Sequence, residues 1–251
     1  MKKTIAVLSS VSASSVRSWR GTSASKTISQ PGKNMILFDR EACPECRFVR
    51  EAFTELNLNA TIVPCPEGGR SIQKLEEESG SSELPRLFDP NTDENIVGRG
   101  NIITYLFKEY RGSPVPPQLQ NKFVNNLASK LASIIRFNAG QRYTPANDAK
   151  NPLTLYSFES SPFSRLVREK LCELELPYLL INLGKQQWSD MGPASFRFTL
   201  KPYQPIENTK RDTFFQKHGN VQVPFLIDPN TGEELFESTD IINYLNKTYL
   251  K

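Results

Sequence analysis

The chain repeats itself, and this limits its possible folds more than any other feature of the sequence. Residues 8–21 and 127–140 share the pattern L-x-S-x-x-A-S-x-[VI]-R-x-x-x-G at an offset of 119. Residues 37–51 lie over 155–169 at an offset of 118, and residues 84–92 lie over 223–231 at 139. Ile102-Ile103-Thr104-Tyr105-Leu106 matches Ile241-Ile242-Asn243-Tyr244-Leu245 at the same 139. Self-similarity of this kind means that one supersecondary unit is built twice. The second copy is about 21 residues longer, and the extra length falls within 184–211, which holds Trp188 and several prolines.

Each copy reads alike. A short apolar strand (35–38; 153–156) enters a loop and then a helix (47–56; 165–174), in which Val49, Phe53 and Leu56, or Val167, Leu171 and Leu174, share one face. A second strand follows (60–63; 178–181), then a variable connection, then strand–turn–strand around Asp-Pro-Asn-Thr. A closing helix (101–110; 240–249) has Asn101 or Asp240 as its expected N-cap. The order is βαβ followed by ββα.

The N-terminus admits three readings. Six Lys/Arg and many Ser precede the first acid, Asp39, which suits a transit peptide, and Met1-Lys2-Lys3 before Thr-Ile-Ala-Val-Leu suits a secretory signal. The apolar part is shorter than the ~7–15 residues such a signal needs. The third reading is preferred, because the L-x-S-x-x-A-S pattern recurs inside the chain, where no targeting signal sits. Both occurrences are expected to be short helices ended by Gly21 or Gly140. No apolar run approaches the ~18–20 residues of a membrane span. A membrane is therefore not expected as a partner, and neither is a nucleic acid, since 31 basic residues face 27 acidic ones and no Lys/Arg stripe is interleaved with aromatics. A single histidine, His218, excludes His-cluster metal chemistry.

Chemistry concentrates at Cys43-Pro44-Glu45-Cys46, after a strand and at the start of a helix. A thiolate there faces unpaired backbone N–H groups and the positive end of the helix dipole, so its pKa falls. Arg40 and Arg47 add positive charge and Glu45 opposes them. Cys43 is the expected nucleophile toward a disulfide, and Cys46, one helical turn on, the resolving thiol. A zinc half-site would need two more ligands, and only Cys65, Cys172 and His218 remain, at unhelpful spacing. Cys65 reads as a strand-end structural cysteine or a third redox thiol, and Cys172 as inert. In copy two Ser161-Pro162-Phe163-Ser164 replaces the motif, so dithiol exchange is confined to copy one.

Cys-Pro-x-Cys, the Leu84-Pro85 and Val223-Pro224 strand entries, Asp-Pro-Asn-Thr and the I-I-x-Y-L helices occur in one order. Together they resemble the thioredoxin fold, and more narrowly glutaredoxins and the N-terminal, glutathione-binding domain of glutathione transferases. Over its whole length the chain is similar to the tandem transferase-N-terminal-domain proteins of cyanobacteria and plastids. The resemblance implies an α/β chain of two thioredoxin-like domains, each a mixed four-stranded sheet preceded by a short helix. These are 1–112, with the Cys-x-x-Cys and a helix about 5–20, and 113–251, with a leading helix about 121–138. It implies cis bonds before Pro85 and Pro224, which let the backbone of Leu84 and Val223 pair with glutathione. It implies glutathione contacts from Arg40, from Arg99 in copy one, and from Glu237 and Ser238 in copy two. Ser161 would then resemble the serine that activates glutathione in some transferases, or serve only as a helix cap. The activity implied is glutathione-linked thiol–disulfide exchange on protein disulfides or protein–glutathione mixed disulfides. Two alternatives stay open: a glutathione-binding or [2Fe-2S] scaffold without turnover, and a minimal transferase using Ser161. No other metal is expected. A free Cys-x-x-Cys suits a reducing compartment, cytosol or plastid stroma.

Overall fold

The structure, a computed structural model, describes residues 2–25 and 29–251. Copy one runs α1 (Lys2–Val16), β1 (Met35–Asp39), α2 (Pro44–Glu55), β2 (Ala60–Pro64), α3 (Arg70–Ser79), β3 (Arg86–Asp89), β4 (Glu94–Val97) and α4 (Arg99–Arg111). Copy two runs α5 (Phe123–Ile135), β5 (Leu153–Ser157), α6 (Pro162–Glu173), β6 (Tyr178–Asn182), α7 (Lys210–His218), β7 (Phe225–Asp228), β8 (Glu233–Phe236) and α8 (Ser238–Tyr249). In each copy the first two strands pair in parallel, and the hairpin that follows pairs antiparallel to the first. This is the expected βαβ–ββα sheet, made twice.

Two features go beyond the expectation. The variable connections contain helices, α3 and α7, which are short and mostly polar. The closing helices begin two residues early, at Arg99 and Ser238, so their caps are Gly98 and Glu237 rather than Asn101 and Asp240. The Asp of Asp-Pro-Asn-Thr is more than a turn residue. Asp89 accepts from the Asn91 amide at 2.9 Å and from the Tyr105 hydroxyl at 2.8 Å, and Asp228 does the same with Asn230 and Tyr244. Each hairpin is thereby fastened to its closing helix.

The copies share one sheet. β2 pairs antiparallel with β6 in the register Ala60↔Leu180, Thr61↔Leu179 and Ile62↔Tyr178, giving the order β4-β3-β1-β2-β6-β5-β7-β8. Alternate residues of β1, β2, β5 and β6 are buried, as period-two burial requires. Their inner face and the apolar faces of α2 and α6 form one core across the seam, including Phe53, Leu56, Ile62, Val167, Leu171 and Tyr178.

The leading helices explain the shared pattern letter by letter. α1 packs on α5 and on α6, the helix of the other copy, while α5 packs on α2. The pattern's two serines reach the other copy's helix start: Ser10 and Ser14 donate to the Pro162 and Ser160 carbonyls, and Ser129 and Ser133 to those of Pro44 and Ala42. The buried alanines, Ala13 and Ala132, permit the close approach. The arginines return to their own copy, Arg17 to Glu51 and Arg136 to Glu169. The glycines, expected only to end a helix, are needed for contact. Gly21 (φ +72°) and Gly140 (φ +80°) lie so close to the other copy that an added Cβ would sit 2.7 Å from Glu159 Cβ and 2.9 Å from Glu41 Cβ. Gly140→Ala combines a left-handed φ with this overlap and is expected to cost about 3 kcal/mol. Thermal unfolding should show a fall of roughly 6–12 °C; an unchanged Tm would show that the helix layer yields freely.

Candidate active site

Strand β1 ends at Asp39, and the loop behind it delivers Cys43 to the start of α2, with Pro44 as the first helical residue. Pro needs no amide donor there, so the motif suits a helix start. Cys43 is the N-cap: its Sγ accepts from the Cys46 amide at 3.4 Å. The Cys43 thiol is half-buried and its pKa is lowered to about 7. The Cys46 thiol, donating a hydrogen bond to it, is the largest cause; the Cys46 and Glu45 amides add to the effect, while burial and the Asp39 charge oppose it. Cys46 is fully buried and its pKa is pushed up, by burial first and then by its partnership with Cys43. One thiol is thus poised to be a thiolate and its neighbour to be a proton donor. Cys65 is buried, and burial pushes its thiol up to about 12, so it reads as structural. Cys172 is buried and donates to the Gly140 carbonyl. His218 stacks among Phe214, Phe225 and Phe236.

The charges around Cys43 differ from the expectation. Arg40 donates to the Cys65 carbonyl at 2.8 Å and pairs with Glu67 at 3.1 Å. Arg47 is buried against the Ser129 carbonyl and the Ser133 hydroxyl. Arg99, proposed for a glutathione carboxylate, is buried on the Phe48 ring, 3.2 Å from Glu45 and 2.8 Å from Asn126. These arginines found acceptors within the chain, so helix-start hydrogen bonds, rather than arginine charge, lower the thiol. The same pairing neutralises Glu45. Among the described residues no group of three or more His, Cys, Asp and Glu side chains is placed to hold a metal ion. No described helix is long and apolar enough to cross a membrane.

The bonds before Pro85 and Pro224 are both cis, as the resemblance implied. In copy two the structure brings Val223, Pro224, Glu237 and Ser161 around one cavity of about 840 Å³. Ser161 caps α6, accepting from the Ser164 amide at 3.3 Å, in the place Cys43 takes on α2. Glu237 caps α8 at φ +66°, where copy one has Gly98 at +86°, and it accepts from the Gln222 side chain. A glutamate in that backbone region is strained, which marks its carboxylate as a candidate for function. Ser238, the first residue of α8, is buried.

The sequence reading left unassigned what closes this cavity. The extra residues of copy two roof it with Trp188, Met191 and Phe198, opposite Trp19, Phe158 and Phe163. Asp190 anchors the roof, accepting from Tyr203 at 2.7 Å and the Gln186 amide at 2.8 Å and pairing with Arg211 at 3.3 Å. Lys185 lies in the wall, its pKa lowered to about 8 by burial and by Arg197 and Arg211. The corresponding region beside Cys43 is open and polar, with Lys130, Arg136, Gln141 and Glu67 in its walls.

Also missed was the buried network where the copies meet. Arg50 bonds both Asp39 oxygens at 2.6 and 2.8 Å and Glu159 at 3.0 Å, and Arg168 bonds Glu41 and Glu159 at 3.0 and 2.9 Å. Charged residues in a single sequence look exposed, and packing of the two copies leaves these buried.

A search of curated proteins finds no match. Among solved structures, Leishmania TDR1, described as a unique trimeric glutathione transferase, matches at 11% identity over 88% of this chain and 68% of that one, with a TM-score of 0.29. The family model for the glutathione S-transferase N-terminal domain matches residues 37–114 and again residues 155–250. Two matches, one on each copy and together spanning most of the sequence, show that the chain belongs to the glutathione S-transferase N-terminal domain family and carries that domain in tandem.

Proposed function

We propose that the chain is a glutathione-linked thiol–disulfide oxidoreductase whose reacting atom is Cys43 Sγ. One observation carries the reading: a half-exposed thiol with a pKa near 7 caps a helix, with a buried, protonated thiol one turn behind it. The Cys43 thiolate attacks the glutathione sulfur of a protein–glutathione mixed disulfide and releases the protein as a thiolate, which takes a proton. A second glutathione thiolate attacks the new Cys43–glutathione bond, returning Cys43 as thiolate and leaving oxidised glutathione. On a protein disulfide, Cys46 instead resolves the mixed disulfide, and two glutathiones reduce the resulting Cys43–Cys46 bond. The first unit, 1–112, carries this chemistry; the second, 113–251, is redox-inactive and offers a glutathione site at Val223, Pro224, Glu237 and Ser238. Four free cysteines suit a reducing compartment, cytosol or plastid stroma.

The apolar-lined cavity at Ser161 favours a second reading, glutathione conjugation. Trp188, Met191 and Phe198 supply an apolar wall against which an electrophile could lie.

The direct test is the thiolate absorbance of reduced, glutathione-free protein against pH. A step near pH 7 that disappears in Cys43→Ser is expected. A first step at the ordinary thiol value of ~8.5 would overturn the oxidoreductase reading.

A further inference from the structure

The repeat provides an internal control for the outer surface. α1 and α5 serve the same contacts inward, so differences outward are not demanded by the fold. On α5 the exposed positions Phe123, Val124, Leu127, Leu131, Ile134 and Phe137 make an apolar stripe along the whole helix and just past its end. At the equivalent places α1 has Thr4, Ile5, Leu8, Ser12, Ser15 and Ser18. Three large side chains thus stand where exposed serines suffice: Leu131 is 41% exposed, Ile134 61% and Phe137 83%. Ile5 and Leu8, exposed on the neighbouring α1, extend the apolar layer.

Charge is sorted in the same way. Residues 1–38 and 112–147 contain ten of the 31 Lys/Arg and none of the 27 Asp/Glu, so the rest of the chain is net acidic. Arg17 and Arg136 are spent on Glu51 and Glu169, but Lys122, Lys130 and Arg142 are exposed. Lys130 and Arg142 share a wall with Ile134 and Phe137. The acids of that wall have partners, Glu67 with Arg40 and Glu173 with Lys170.

We propose that the outer face of α5, with the adjoining edge of α1, docks on an anionic lipid surface. Protruding apolar side chains rimmed by cations, with no acid in the segments that form it, match the chemistry of an interfacial helix, which sinks its apolar side chains among acyl chains and leaves its cations at the headgroups. A second copy of the chain is disfavoured, since it would bring the same cationic surface against itself. A protein partner anchored by a few side chains needs pockets to receive them, whereas the stripe presents protruding side chains, Phe123 80% and Phe137 83% exposed, and its C-terminal end borders an open, polar recess. Docking differs from spanning: the short apolar runs that led to the expectation of no membrane partner exclude only a span, and a surface contact replaces that expectation. The proposal does not depend on the chemistry at Cys43, and docking would leave that site beside the lipid, since Ser129 and Ser133 of α5 hold the carbonyls of Pro44 and Ala42.

The test is co-sedimentation of the whole chain with vesicles of phosphatidylcholine alone and with about one-third phosphatidylserine. Binding is expected only to the anionic vesicles, weakening about tenfold between ~0.1 and ~0.5 M salt as the charges are screened. Leu131→Ser/Ile134→Ser/Phe137→Ser should weaken it about a hundredfold with the thermal transition kept, because α1 carries serines at these places. Lys122→Glu/Lys130→Glu should remove the preference for anionic lipid. Three results would overturn the proposal: no sedimentation with anionic vesicles at low salt, equal binding by the triple serine variant, or a dimer in solution that the triple variant dissociates.

Discussion

Cys43→Ser should abolish reduction of a glutathionylated peptide, a fall of at least about a thousandfold. A serine hydroxyl at the same helix start stays protonated near neutral pH, so the attacking sulfur anion has no substitute. The Cys46 variants separate its two roles. Cys46→Ser keeps a hydroxyl to donate toward Cys43, so the low pKa and the glutathione-resolved reaction should survive within severalfold, while reduction of protein disulfides is lost. Cys46→Ala removes the donor that contributes most to the low pKa of about 7, so its thiolate step should move toward the ordinary ~8.5 and its rate at neutral pH should fall. Since the reacting species is the thiolate, the wild-type rate should rise about tenfold per pH unit below 7 and level above it. Coupled oxidation of glutathione reads all of these. Cys43→Ser retaining a tenth of wild-type activity would sink the assignment. Ser161→Ala should leave this reaction unchanged and would remove any conjugation.

The elements were legible where one copy could be checked against the other. β1, α2, β2 and the closing helices lie within a few residues of the expected spans, because apolar periodicity and the Asp-Pro-Asn-Thr turn say the same thing twice. Cys43 as a helix cap was legible for a similar reason, since strand, Cys-Pro and helix stand in one local order. The union of the two sheets was not. Thr61 opposite Leu179 is a contact between distant strands with nothing local to announce it. The fate of the arginines was equally hidden. Arg40, Arg47 and Arg99 looked like free charge near a thiolate, but each has an acceptor distant in sequence, which only the packed chain brings near. The 184–211 insertion was visible as extra length, but its role as a cavity roof depends on Asp190, Tyr203 and Arg211 meeting.

The largest stability effect is expected at Glu159, a residue of copy two. Its carboxylate lies 3.0 Å from Arg50, 2.9 Å from Arg168 and 3.9 Å from Arg47, all buried. Glu159→Gln keeps the shape but removes the one acid these three guanidinium groups share, leaving excess positive charge in the interior, and should cost about 3–5 kcal/mol. The pH dependence identifies the cause. The arginines, Arg168 foremost, overcome burial and hold the Glu159 carboxyl down to about 2. A folded-state pKa below the unfolded value of ~4.3 stabilises the fold above that value, by about 3 kcal/mol, and the gain is lost as pH falls through ~4 toward 2. Burial raises Asp39 and Glu169 and so acts in the opposite sense. The wild-type curve alone mixes these terms; the difference between wild type and Glu159→Gln isolates the one at issue. That difference, from denaturant unfolding, should be largest above pH 5 and shrink steadily toward pH 2. A loss below about 1 kcal/mol, or one that does not change with pH, would show that the arginines find other acceptors. The expected outcome gives copy two a task that its lack of the Cys-x-x-Cys motif does not suggest. Arg50 also bonds Asp39 and the Glu41 carbonyl, at the end of the strand that delivers Cys43, so an acid of copy two, Glu159, completes the support beneath α2, the helix that Cys43 caps.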